Sequence, residues 1–143
     1  MEKQTCKDQV MEHLKGRIED LEKLFEACQK GDEEVEGLGT FNEYGLAFDY
    51  VAPGTFDYVA PGTFQDQKRG YFRYQLSWGG PSDEFRFYTD ENFNPVRIEY
   101  WFMDWYDGAK IILKGTSHSL LMDIWGSFQD CGTVEAEFQK AKE

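Results

Sequence analysis

A chain of 143 residues with 41% hydrophobic and 17% aromatic side chains carries enough apolar material for one self-supporting core, which argues against disorder and against a second domain. Its 27 acidic residues against 15 basic ones give a formal net charge of -12, and a field of that sign repels phosphate backbones, so direct nucleic-acid binding is not expected. Cys6, Cys28 and Cys131 form neither a CxxC pair nor an even disulfide framework, the N-terminus lacks a signal-peptide core, and no run approaches the ~18 apolar residues of a membrane span. The expected setting is cytoplasmic, with no membrane association, metal or cofactor.

Along the chain, Val10, Leu14, Ile18, Leu21, Phe25 and Cys28 recur at spacings of three and four, with Leu24 widening the stripe. Residues 3–30 are therefore predicted as an amphipathic helix that Gly31 ends. Such a stripe packs either on the chain's own sheet or on a second copy, so a homodimer through this helix is one expectation to carry forward. The connector Gly31–Thr40 is acidic and glycine-rich, and it lacks the preceding strand and the Lys-Ser/Thr of a phosphate loop.

Glu43–Val51 is predicted as the first strand, with Tyr44, Leu46, Phe48 and Tyr50 on one face and Ala52-Pro53-Gly54 as its turn. The segment FDYVAPGT at Phe48–Thr55 recurs identically at Phe56–Thr63, a tandem duplication spanning residues 48–63 inside a single domain of residues 1–143. Two copies of eight residues are too short for a repeat architecture. Because eight is even, a shift by one copy returns every side chain to its own face. The copies are equivalent candidates for one strand position, so one is expected to dock and the other to loop out, at a closure cost on the order of 1 kcal/mol.

From Gly70 to Asp107 the chain reads as three antiparallel strands joined by two tight turns. Alternation puts Phe72, Tyr74, Leu76 and Trp78, then Phe85 and Phe87, then Val96, Ile98, Tyr100 and Phe102 on the core face. The opposite face collects Tyr71, Arg73, Gln75, Glu84, Arg86, Tyr88, Arg97, Glu99, Trp101 and Met103. An ordinary antiparallel sheet leaves such a face in water, laced by Arg and Glu pairs. Tyr, Trp, Met and Arg are also the types enriched at interface cores, which makes Tyr71, Arg73, Arg86, Tyr88, Arg97 and Trp101 the candidate binding residues for a protein partner.

Beyond this meander, Lys110–Gly115 is predicted as a further strand. A Ser/Thr cluster then opens a helix bearing Leu120, Leu121, Ile124, Trp125 and Phe128, and Thr133–Glu143 makes a short final helix. Asp104, Asp107 and His118 support an alternative reading as a small hydrolase or transferase. Their spacing fits a polar turn and a helix cap at least as well.

The run YFRYQLSWGGPSDEFRFY, followed by IEYWFMDWYDGA, resembles small uncharacterised accessory proteins of bacterial genomes and mobile elements. The resemblance covers roughly Tyr44–Ala109 and includes no motif with an assigned chemistry. It implies a phage or plasmid gene product, a class that includes anti-restriction and anti-CRISPR inhibitors. Taken together, these readings predict an α+β fold: an N-terminal helix, an antiparallel meander of four or five strands, and a C-terminal helix packed on one sheet face. The expected function is a non-enzymatic acidic module that binds or inhibits a protein partner with a basic surface.

Overall fold

The computed structural model describes residues 5–31, 34–54, 56–60, 63–66, 68–79, 81–104 and 107–142. Helix α1 (Cys6–Gln29) starts where Thr5 and Asp8 cap each other reciprocally: the Thr5 side chain accepts from the Asp8 N–H and the Asp8 carboxylate accepts from the Thr5 N–H. Its predicted stripe is the buried one, with Val10, Leu14, Leu21, Leu24 and Phe25 in the core. The stripe that would carry a helix-to-helix dimer is thus used within the chain.

A two-residue pairing of β1 (Glu34–Val35) with β2 (Gly39–Thr40) closes the acidic connector and leads into the single turn α2 (Phe41–Tyr44). Here the expected strand start is displaced. Thr40-Phe41-Asn42-Glu43 is a capping signature, and the Thr40 side chain accepts from the Glu43 N–H while its hydroxyl donates to the Glu43 carboxylate at 2.8 Å. The strand β3 therefore runs only from Ala47 to Val51, and Leu46 is left 60% exposed ahead of it.

The remaining elements are β4 (Phe56–Ala60), β5 (Thr63–Asp66), β6 (Tyr71–Ser77), β7 (Ser82–Thr89), β8 (Pro95–Asp104), β9 (Asp107–Ile112), α3 (Gly115–Asp130) and α4 (Thr133–Lys142). One antiparallel sheet has the order β3-β6-β7-β8-β9, and β4 pairs with β5 in a separate two-stranded unit. The first copy of the duplication thus supplies the edge strand β3, while the second supplies β4.

Helix α1 lies over β8 and β9, α3 over β8, and α4 over β3, all on one face of the five-stranded sheet. Phe72, Tyr74, Leu76, Phe85, Phe87, Ile98, Tyr100 and Phe102 meet Leu121, Ile124 and Trp125 there. The Trp125 ring packs on Phe72 and Phe87 at 5.1 and 5.0 Å between centroids, and its indole N–H donates to the Phe93 carbonyl at 3.0 Å. Among the described residues, no helix is long and apolar enough to cross a membrane.

Two expected core residues point elsewhere, one just beyond a β-bulge and one at a bulge. Gln75 pairs with Glu84 and Ser77 with Asp83, so Leu76 is an extra residue, the side-chain alternation resets, and Trp78 emerges 77% exposed. Tyr88 pairs with Arg97 and Thr89 with Pro95, which makes Val96 the extra residue and leaves it 59% exposed.

Candidate functional site

The second face of the sheet is built in register rows. One row runs Asp49, Arg73, Arg86, Glu99 across β3, β6, β7 and β8; the next runs Gln75, Glu84, Trp101, Lys110 across β6, β7, β8 and β9. The Arg86 guanidinium lies between two rings, 3.9 Å from the Trp101 centroid and 4.5 Å from that of Tyr71, and it pairs with Glu84 at 2.7 Å. Glu99 receives the Trp101 indole N–H at 3.0 Å and ion-pairs with Arg97 at 3.0 Å and Lys110 at 3.5 Å. Arg97 lies 4.6 Å over the Tyr88 ring, and Arg73 donates to both Asp49 carboxylate oxygens at 3.1 and 2.8 Å.

This arrangement corrects the expectation of a face open to solvent. Trp101, Arg86 and Tyr71 are 0, 1 and 1% exposed, and Tyr88, Glu84 and Glu99 are buried with them. Of the six candidate binding residues, only Arg73 and Arg97 keep side chains that reach the surface, at 21 and 41%. Within this face the guanidiniums stack on aromatic rings and the charges are paired, the condition under which buried charges persist. Burial raises the Tyr88 hydroxyl above its ordinary pKa, with the nearby Glu99 charge pushing the same way.

A second polar cluster lies on the core side. Asp83, 3% exposed, accepts from Arg17 at 2.7 and 2.9 Å, from the Tyr100 hydroxyl at 2.6 Å, and from Ser77. Arg17 also donates to the Tyr44 hydroxyl, which donates to Asp20 at 2.7 Å. The Tyr100 hydroxyl is pushed strongly up, by burial first and then by the Asp83 charge. This network ties α1 to β6, β7, β8 and α2. Of its members, Tyr44 and Tyr100 were expected on apolar faces while Arg17, Asp20, Ser77 and Asp83 were not singled out, although one signal was there: Asp83 shares the core-facing parity of Phe85 and Phe87, where a carboxylate requires partners.

Asp104, Asp107 and His118 do not converge. Asp104 and Asp107 are register partners at the β8–β9 turn. Asp107 accepts the Cys6 N–H at 2.8 Å and the Gly108 N–H at 2.9 Å, so it caps the first turn of α1, and these backbone donors hold its carboxyl below the usual range. His118 lies in the first turn of α3, beyond the far end of β9. A six-residue antiparallel strand spans roughly 17 Å, which separates the two ends.

The described cavities contain none of those three residues. A cleft of about 180 Å³ lies between α2, β3 and α3, lined by Phe41, Phe48, Tyr74 and Phe128, and a groove of about 460 Å³ is lined by Tyr50, Phe72, Phe93 and Phe138 together with Arg69 and Lys142. Among the described residues, no group of three or more His, Cys, Asp or Glu side chains could hold a metal ion. The molecule belongs to the α+β class, an antiparallel five-stranded sheet with its helices on one face. Comparison of the chain with protein-family models, with curated proteins and with solved structures found no match.

Proposed function

We propose that this protein is a non-enzymatic binding module that occupies the basic surface of a partner protein, in the manner of the inhibitors carried by phages and plasmids. What supports this reading is the division of charge between the two layers. On α1, Asp8, Glu12, Glu19, Glu22 and Glu26 are all exposed and fall at spacings of four, seven, three and four, which places them along one side of the helix, with Lys15 among them and Lys30 paired to Glu26 at the helix end. Like charges at four-residue spacing, as at Asp8 and Glu12 or Glu22 and Glu26, destabilise a helix by a few tenths of a kcal/mol, about 0.2–0.5 per pair.

Exposed Glu34, Glu36 and Glu43 extend this negative side, and α3 adds exposed Asp123 and Asp130. On the second sheet face, by contrast, Arg73, Arg86, Arg97 and Lys110 are matched to Asp49, Glu84 and Glu99. The exposed carboxylates on this side, interspersed with Lys7, Lys15, Lys23 and Lys30, are the groups that would meet a basic surface. In this reading Arg73 and Arg97 rim a secondary contact, and Tyr71, Arg86, Tyr88 and Trp101 hold that rim from beneath.

The test combines capture from a bacterial lysate at low and high salt with DNA-cleavage assays against restriction and CRISPR nucleases. The parent chain is expected to capture a basic protein in a salt-sensitive way and to block cleavage. The Glu12→Lys, Glu19→Lys, Glu22→Lys triple variant is expected to lose both. Equal capture and inhibition by the triple variant would overturn the assignment of the acidic helix side.

A further inference from the structure

The edge position held by β3 is a shaped groove, and the residues that fill it come from one short segment. The Phe48 ring packs on Phe128 at 4.4 Å, Phe72 at 5.9 Å, Trp125 at 6.1 Å and Phe87 at 6.4 Å. Asp49 takes both hydrogen bonds from Arg73. Tyr50 packs on Phe72 at 4.7 Å and Phe138 at 4.9 Å, and Gly70 makes room for its hydroxyl, since a Cβ at residue 70 would lie 2.1 Å from that oxygen. Val51 is buried with Tyr71 and Tyr88.

Each of these contacts is made by a residue of the Phe-Asp-Tyr-Val segment, and the chain carries a second segment with the same four residues, Phe56, Asp57, Tyr58 and Val59. The identity continues through the following turn, because Ala-Pro-Gly-Thr-Phe comes after both. Even the residue ahead of the segment is compatible: Thr55 would take the place of Ala47 opposite Gln75, and threonine suits a strand better than alanine. The second copy forms β4, which pairs with β5 outside the five-stranded sheet.

We propose that the groove beside β6 is a binding site for a Phe-Asp-Tyr-Val strand that either copy fills, so that the chain exchanges between two registers eight residues apart. When Phe56–Val59 is seated, the connection to β6 shortens from residues 52–70 to residues 60–70, and the path from α2 lengthens by one copy. Closure entropy changes only with the logarithm of these lengths, so it separates the registers weakly. The seated ligand is a segment of the same chain. Tethering gives it an effective concentration in the millimolar range, which a free second molecule at micromolar concentration does not match. Exchange carries one copy from the exit of the strand to its start and dissolves the β4–β5 pairing.

A double-mutant cycle on the full chain tests this. Under exchange, Phe48→Ala seats the second copy and Phe56→Ala keeps the first, so each single variant shifts the melting temperature by less than a third of the shift in the double variant. Should the double variant be unfolded from the outset while both single variants melt within a few degrees of the parent, the same conclusion holds. A milder cycle at Asp49→Ala and Asp57→Ala, which removes the Arg73 partner from one copy or both, is expected to give the same excess loss in the double. If Phe48→Ala alone falls as far as the double, or if the single losses simply sum to it, each copy has its own fixed place and the proposal is wrong.

Discussion

Trp101 is buried on the face expected to meet water and Trp78 is exposed where core was expected, and replacing each by alanine measures how firmly. Trp101 is 0% exposed, its ring faces the Arg86 guanidinium at 3.9 Å, and its indole N–H donates to Glu99 at 3.0 Å. Truncating a buried tryptophan costs about 3–5 kcal/mol, and a desolvated cation–π contact is worth about 2 kcal/mol. Because the two overlap, the expected loss for Trp101→Ala is about 4–6 kcal/mol. At about 2–4 °C per kcal/mol for a domain of this size, the melting temperature should fall by roughly 10–20 °C. Trp78, 77% exposed beyond a bulge, should change stability by no more than about 0.5 kcal/mol when truncated. Thermal melts followed by circular dichroism, supported by urea titrations, compare the two directly. A Trp101→Ala protein that melts within 2 °C of the parent, or a Trp78→Ala protein that melts below it, would refute the burial of the second sheet face.

Three further outcomes can be checked on the same instrument. Asp83→Ala strands Arg17 and the Tyr100 hydroxyl, and breaking such a buried pair should cost about 3–5 kcal/mol, with Tyr100→Phe losing about 1–3 kcal/mol. Asp107 has a folded pKa below the ordinary value of 3.8, so its stabilisation is complete above that pH and disappears as pH falls through the lowered value. Asp107→Asn should therefore melt lower than the parent at neutral pH and converge with it in strong acid; a constant gap across the acid range would show that the carboxylate charge does not hold α1. Phe85→Ala and Ile98→Ala, each emptying a site with no exposure, should cost about 2–5 kcal/mol, and near-parental melting of either would undo the core-face assignment.

Most of the architecture was legible because it rests on periodicity. The three-and-four spacing of Val10, Leu14, Leu21 and Phe25 marks α1, and period two marks the face of Phe72, Tyr74, Phe85, Phe87, Ile98 and Tyr100. Alternation fails where a residue is inserted, and nothing local in Leu76 or Val96 announces that it is the extra member of a bulge. Thr40-Phe41-Asn42-Glu43 did carry a readable capping signal, which the Tyr44, Leu46, Phe48 alternation obscured. The candidate site shows a different limit. Periodicity assigned Arg86 and Trp101 to the correct face but is silent on whether that face is closed, because closure depends on what packs over it and alternation reports only which side a residue takes. The separation of Asp104 and Asp107 from His118 was likewise set by the length and direction of one intervening strand.

The capping of α1 by Asp107 bears on how the chain is made. The bond between the Cys6 N–H and that carboxylate joins residues 101 positions apart, and the Arg17 bridge to Asp83 joins residues 66 apart. During synthesis at about 5–20 residues per second, α1 leaves the ribosome roughly 5–20 s before the strand that caps it exists. For that interval its Leu14, Leu21, Leu24 and Phe25 side chains have no sheet to cover, so this helix is held only by strands made well after it. Exchanging the order in which helix and sheet are translated, by circular permutation, would remove the wait while keeping the packing of α1 on β8 and β9.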